Sequence, residues 1–219
     1  MNKTKEVKRP YNSSRRQDQA RATRRKIVEA AARLFVRNGY VATSVDEIAA
    51  EAGVSRATVF GVGGKSELLK LAYDFAVGGD DEPIRLVERP GAREVRAAPN
   101  ARSYLTGYAA VMTDIYPRLA GIHEVVRGAA QADPDVATLW KNINRARRGG
   151  ADTIVADIRK REPLRQGLRP DAAGDVVWLL NDPGNYHMLV HGRGWTKDQF
   201  ETWLGESLQR ELLAPIRRR

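Results

Sequence analysis

The chain has 219 residues, 42% of them hydrophobic and none of them cysteine, and carries a formal net charge of +10. That apolar content can bury a sizeable core, which excludes a chain disordered throughout, and the missing thiols exclude disulfides and thiolate metal sites. No apolar run approaches the roughly 20 residues of a membrane span and Met1 to Pro10 is polar and basic, so the expectation is a cytoplasmic protein without a membrane partner.

The charge is concentrated at the start. Residues 1–40 hold twelve Lys or Arg against Glu6, Asp18 and Glu29, a net +9, which leaves +1 for the other 179 residues. A flexible basic arm over residues 1–19 on a near-neutral body is the footprint of a protein that neutralises phosphates; the bland reading is a solvated tail. Within the arm, Arg15 and Arg16 are the candidates for entering a minor groove of DNA.

From about Ala20 to Asn38, Ile27, Ala31, Leu34 and Phe35 recur at i, i+4, i+7 and i+8, which predicts a first helix with one apolar stripe and Gly39 at its left-handed end. Ser44 and Glu47 form a capping box that opens a short second helix to about Ala52. Gly53 can take the positive φ of a sharp turn, and Ser55 can cap a third helix on which Arg56 and Ala57 project outward. Val45, Ile48, Ala52, Val54 and Val59 can share one small core, with Ala49 where the two helices come closest. This is the pattern of a helix-turn-helix.

The segment TSVDEIAAEAGVSRATVF, followed by GKSELL, resembles the DNA-binding domain of the TetR/AcrR family, over roughly Ala20 to Ala76. The resemblance implies an all-α fold: a three-helix DNA-binding domain over residues 20–66 joined, through a fourth helix from about Lys65, to a helical effector-binding and dimerisation domain over residues 67–219. It places Arg56 and Ala57 at base edges and Thr58 and Lys65 at phosphates, so the candidate DNA-facing set is Ser44, Ser55, Arg56, Ala57, Thr58, Phe60 and Lys65. The chain departs from the family pattern after Thr58. Phe60 replaces the usual Tyr, which removes a phosphate-binding hydroxyl, and Val59 to Gly64 is one residue short and rich in glycine.

Gly63-Gly64-Lys65-Ser66 mimics the end of a phosphate-binding loop, but Val59 stands where that motif needs glycine and no strand precedes it. Beyond the fourth helix the chain breaks at Gly78 to Pro83, and a polar stretch to Asn100 reads as a connector or a loop over a pocket. Asn100 caps a helix carrying Tyr104, Leu105, Tyr108 and Met112 that kinks or ends at Pro117. Asp133-Pro134 opens another, with Val136, Leu139, Trp140 and Ile143, which runs toward Arg161. A further helix covers Asp171 to Val190, broken at Pro183-Gly184, and a last one covers Thr196 to Leu213, opened by a second capping box at Thr196 and Gln199.

Tyr104, Tyr108, Met112, Trp140 and Trp178 are the candidate ligand-pocket residues, and the plain alternative for each is core packing. The last two helices resemble the family's dimerisation pair, which makes Trp178, Phe200, Trp203, Leu204 and Leu208 the candidate interface. The segments ADPDVATLW and WLLNDPGNYHMLVHGRGWTKDQFETWL resemble the ligand domains of an actinobacterial-type branch of these regulators. His187 and His191 lie one turn apart but lack a third ligand at evident spacing, and His123 is isolated, so no metal, cofactor or catalytic residue is expected. A metal-dependent hydrolase built on those histidines is the alternative from another class. The function that the resemblance implies is a ligand-responsive repressor that binds a palindromic double-stranded operator as a homodimer, with an effector of unknown identity.

Overall fold

The computed structural model describes residues 13–80 and 86–215. Every regular element among them is helical: α1 Ser13–Asn38, α2 Val45–Ala52, α3 Arg56–Val62, α4 Lys65–Gly78, α5 Pro90–Arg96, α6 Ala101–Ala129, α7 Pro134–Arg159, α8 Pro170–Leu180, α9 Pro183–Tyr186 running into a π-turn His187–His191, and α10 Lys197–Leu212. No helix among the described residues is long and apolar enough to cross a membrane.

The local signals act where they stand in the sequence. Ser44 Oγ accepts from the Glu47 amide while the Glu47 carboxylate accepts from the Ser44 amide (3.2 and 2.7 Å), and Thr196 with Gln199 repeats the arrangement at α10. Asn100 caps α6 and Asp133 caps α7. Gly53 turns α2 into α3 at φ +67°, a conformation that a Cβ would strain. Ile27, Leu34, Phe35, Ile48, Val59 and Leu68 are buried together as the core shared by α1 to α4.

Three expectations are corrected. α1 starts at Ser13, so Arg15 and Arg16 are exposed residues of its first turns and not part of an irregular arm. The rest of the arm, Lys3 to Arg9 included, lies outside the described residues. The stretch after α4 is not irregular throughout, because Pro90 at the first helical position starts α5 and Val95 seals it onto α6. α6 passes through Pro117 without ending. The missing amide withdraws one hydrogen bond from the Thr113 carbonyl, but Met112, Ile115, Tyr116, Leu119 and Ala120 are all buried around it, and packing on several sides outweighs that local cost.

α6 is the central helix. α10 packs along one side of it, and α4, α5 and α7 pack around the others, with α8 laid across α7 and α10. Phe200, Leu204 and Leu208 of α10 are each fully buried inside the subunit, so they form its core and do not face outward as an interface would require. What remains outside is Leu179 at 62% and Met188 at 60% exposure, with Trp178 and Trp203 half-buried.

Candidate nucleic-acid interface and ligand cavity

α3 stands at the surface on a rigid seat. Val59 is its buried anchor, and Ser55 caps it by accepting from the Thr58 amide (3.2 Å) while its hydroxyl pairs with Thr58 Oγ1 (2.8 Å). Ser44, Ser55, Arg56, Ala57, Thr58 and Phe60 are all exposed. Arg56 is not free: its guanidinium donates to Asp46 on α2 (2.8 Å) and lies 5.4 Å over the Phe60 ring. Phe60, 51% exposed, thus holds the arginine by its face where a tyrosine would offer a hydroxyl. Gly63 is needed for space, since a Cβ there would meet Glu67 Cγ at 2.7 Å.

Lys65 opens α4 half-buried. Its ammonium sits 4.5 Å over the Tyr40 ring and donates to the Val41 carbonyl (3.1 Å), and burial holds it below the ordinary lysine range. The Tyr40 hydroxyl in turn donates to Asp133 Oδ2 (2.6 Å), the N-cap of α7, whose other oxygen accepts from the Asp135 and Val136 amides. That hydrogen bond keeps the Asp133 carboxyl below the usual carboxylate range. Ser66 reaches Asp135 in the same joint (3.4 Å). The end of α1, the start of α4 and the start of α7 are therefore fastened at one point. Sequence reasoning missed it because the partners lie 93 residues apart.

A cavity of about 1020 Å³ opens between α1, α4, α5, α6 and α7. Its wall is largely apolar, with Leu71, Val111, Met112, Ile115, Leu139 and Ile143, and includes Tyr73, Tyr104, Tyr108, Arg147 and Asn181. Tyr104, Tyr108 and Met112 are in the wall; Trp140 and Trp178 are not. Trp140 packs edge-on against His123 behind the wall (5.1 Å), and Trp178 lies under the Arg147 guanidinium (5.3 Å). Burial pushes the Tyr104 hydroxyl up to about 12 and the Tyr108 and Tyr116 hydroxyls higher, so all three are neutral phenols.

Behind the wall lies a buried polar network that the sequence did not disclose. Arg147 Nη2 is 2.9 Å from Asp182 and also donates to the carbonyls of Trp178 and Asn181, while His123 Nε2 stands 3.4 Å from Asp182. Burial works to raise the Asp182 carboxyl, but the imidazole beside it and the Arg147 charge outweigh this and hold it below its ordinary value. His123, isolated in sequence, is thus a wholly buried part of the core. His187 and His191 approach each other at 3.3 Å, and no group of three or more metal-ligating side chains occurs among the described residues.

Residues 27–70 match the family model described as bacterial regulatory proteins, tetR family. The helix-turn-helix unit is therefore similar to the DNA-binding domain of that family. A search of curated proteins finds no match. Among solved structures, a transcriptional regulator from Saccharomonospora viridis in complex with choline is similar over 89% of this chain and 99% of its own, at 20% identity and a TM-score of 0.68. The SmeT–triclosan complex is similar over 89% and 93% (18% identity, TM-score 0.64). NalD of Pseudomonas aeruginosa, the secondary repressor of the MexAB-OprM multidrug efflux pump, is similar over 88% and 97% (20% identity, TM-score 0.61). At these identities the likeness carries the TetR fold.

Proposed function

We propose that this protein is a DNA-binding transcriptional regulator of the TetR type, a ligand-responsive repressor which binds a palindromic operator as a homodimer in the cytoplasm. The observation that carries the reading is the shared framework of cavity and reading helix. α4 and α7 both line the cavity, and both begin at the joint where Lys65 and Asp133 meet Tyr40, with Lys65 three residues after the end of α3. A molecule that displaces either helix shifts that joint and, through it, the reading unit. Residues 20–66 serve as the reading unit in this scheme, and residues 67–219 as the effector-binding and dimerisation unit.

Arg56 and Ala57 read base edges while Ser44, Ser55, Thr58 and Lys65 hold phosphates, with Phe60 against the sugar-phosphate surface and Arg15 and Arg16 adding phosphate contacts from the first turns of α1. One seven-residue reading helix supplies little affinity alone, and two copies about 34–36 Å apart match successive major grooves. Leu179 and Met188, with the half-buried Trp178 and Trp203, supply the apolar surface through which the copies meet. The structures solved with choline and with triclosan, and the repressor NalD, support ligand control and repression by analogy of fold.

The test is selection from a random double-stranded DNA library followed by sedimentation of the protein alone. A two-fold symmetric site and a dimer at micromolar concentration are expected. An asymmetric single half-site bound by a monomer overturns the reading.

A further inference from the structure

The π-turn between α9 and α10 carries chemistry that neither the DNA-facing surface nor the cavity uses. The chain has no cysteine and three histidines, of which His123 is wholly buried, so two imidazoles are left near the surface. His187 is half-buried and His191 exposed, and neither lines the cavity. Their i, i+4 spacing puts both rings on one face of a helix and is the spacing with which helical histidine pairs hold zinc. The backbone here is not an ordinary helix. The Gly192 amide donates to the His187 carbonyl five residues back, and single π-turns of this kind are frequent at functional sites.

What the fold adds to the spacing is the bite. The two Nδ1 atoms face each other at 3.3 Å, with the ring planes at 80°. Two zinc–nitrogen bonds of about 2.0–2.1 Å spanning that gap enclose an angle of about 104–111°, the tetrahedral geometry that zinc adopts, whereas the right angle of a square or octahedral shell needs about 2.9 Å. The rings are also held. His191 stands edge-on to the Tyr186 ring (5.6 Å), and Tyr186 is buried against Tyr116 and Phe200. The plain alternative is one Nδ1–H shared between the two rings, for which 3.3 Å is long.

We propose that His187 and His191 chelate one zinc ion through their Nδ1 atoms, each neutral ring keeping its proton on Nε2. No third His, Cys, Asp or Glu joins them among the described residues, so the other two positions of the tetrahedral shell are filled from outside, by water or by the same pair of a second copy. The nearest charged residues along the chain add no attraction for a dication. Asp182 is held by Arg147, Arg193 is an exposed cation, and Lys197 is held by Asp114. The affinity is therefore expected in the micromolar range, far short of a structural site with four protein ligands.

The full chain, free of any affinity tag, is dialysed to equilibrium against zinc, and cobalt(II) replaces zinc for visible spectroscopy. One saturable site, the intense bands of four-coordinate cobalt, and zinc-dependent NMR shifts of the His187 and His191 ring nitrogens with His123 unmoved are expected. His187→Gln and His191→Phe, the second keeping a ring against Tyr186, should each weaken zinc binding about tenfold or more, because either leaves a lone imidazole without its chelate partner. Metal-free thermal melts of both variants should match wild type. One zinc per chain assigns the outer positions to water, and one per two chains, with zinc-dependent association in sedimentation, assigns them to a second copy; both retain the pair. No saturable binding up to millimolar zinc, wild-type affinity in either variant, ligation through Nε2 or His123, or the pale spectrum of six-coordinate cobalt each overturn the assignment.

Discussion

At the scale of single residues, the ion pair between Arg56 and Asp46 bears on the proposed reading of bases by Arg56. Both side chains are more than half exposed, so the pair contributes no more than about 1 kcal/mol and a guanine edge displaces Asp46 readily. Arg56→Ala is expected to weaken specific binding by about 1–3 kcal/mol and to relax selectivity at one base pair per half-site, checked by repeating the library selection with the variant. Asp46→Asn should tighten binding, because it removes an exposed carboxylate from the proposed DNA-facing surface and releases the arginine; an unchanged affinity would show that the pair has no hold on Arg56. Lys65→Ala should weaken every sequence about equally and lower the salt slope by about one unit. Arg56 was legible as the outward residue of a capped helix. Its partner was not, since Asp46 sits on a different helix and only the crossing of α2 and α3 brings them together.

At the scale of elements, the signals confined to one turn of chain were readable and those decided by a neighbour were not. Capping boxes at Ser44 and Thr196 depend on residues three apart, which is why they stand where the sequence put them. The first turns of α1 lack an apolar stripe, and Pro117 stays helical only because α6 is surrounded, so neither was visible. The periodicity of Phe200, Leu204 and Leu208 showed a buried face but not that α6, within the same subunit, buries it. Leu208→Asp is therefore expected to unfold the subunit, at several kcal/mol, while Leu179→Glu leaves a folded monomer; thermal melts and sedimentation separate the two. The Tyr40–Asp133 joint adds a pH dependence. The Asp133 carboxyl is depressed in the folded chain, so its contribution is complete above the ordinary carboxylate value, near about 4, and is lost as pH falls through the lower folded value. Tyr40→Phe keeps the ring under Lys65 but removes the bond. It should melt below wild type at neutral pH and converge with it in acid, and at neutral pH it should bind operator while responding weakly to ligand. A constant difference across the acid range would remove Asp133 from the joint.

At the scale of the whole molecule, the decisive property is where the charge lies. Residues 1–40 carry a net +9, and α1, which holds the described part of it, packs against α2 and α3, while the other 179 residues, with the apolar surface of Leu179 and Met188, are nearly neutral. α1 opens with Arg15 and Arg16 and no acid in its first turn, the reverse of what the positive end of a helix favours, and an arrangement that phosphates beside it relieve. Residues 1–12 add Lys3, Lys5, Lys8 and Arg9 against Glu6 alone. If these four cations each neutralise a phosphate on B-DNA, binding releases about 0.9 counterion for each, and deletion of residues 2–12 lowers the slope of log affinity against log salt by about three to four units per subunit. If they only attract DNA from a distance, the slope changes by far less and the loss fades with added salt as the Debye length shortens. Operator and unrelated DNA, titrated over one salt series with the full and shortened chains, distinguish the two. Because phosphates carry no sequence information, the expected loss is the same on both DNAs, and the specificity ratio set by Arg56 stays where it was. A loss confined to the operator would instead mean that the segment reads bases.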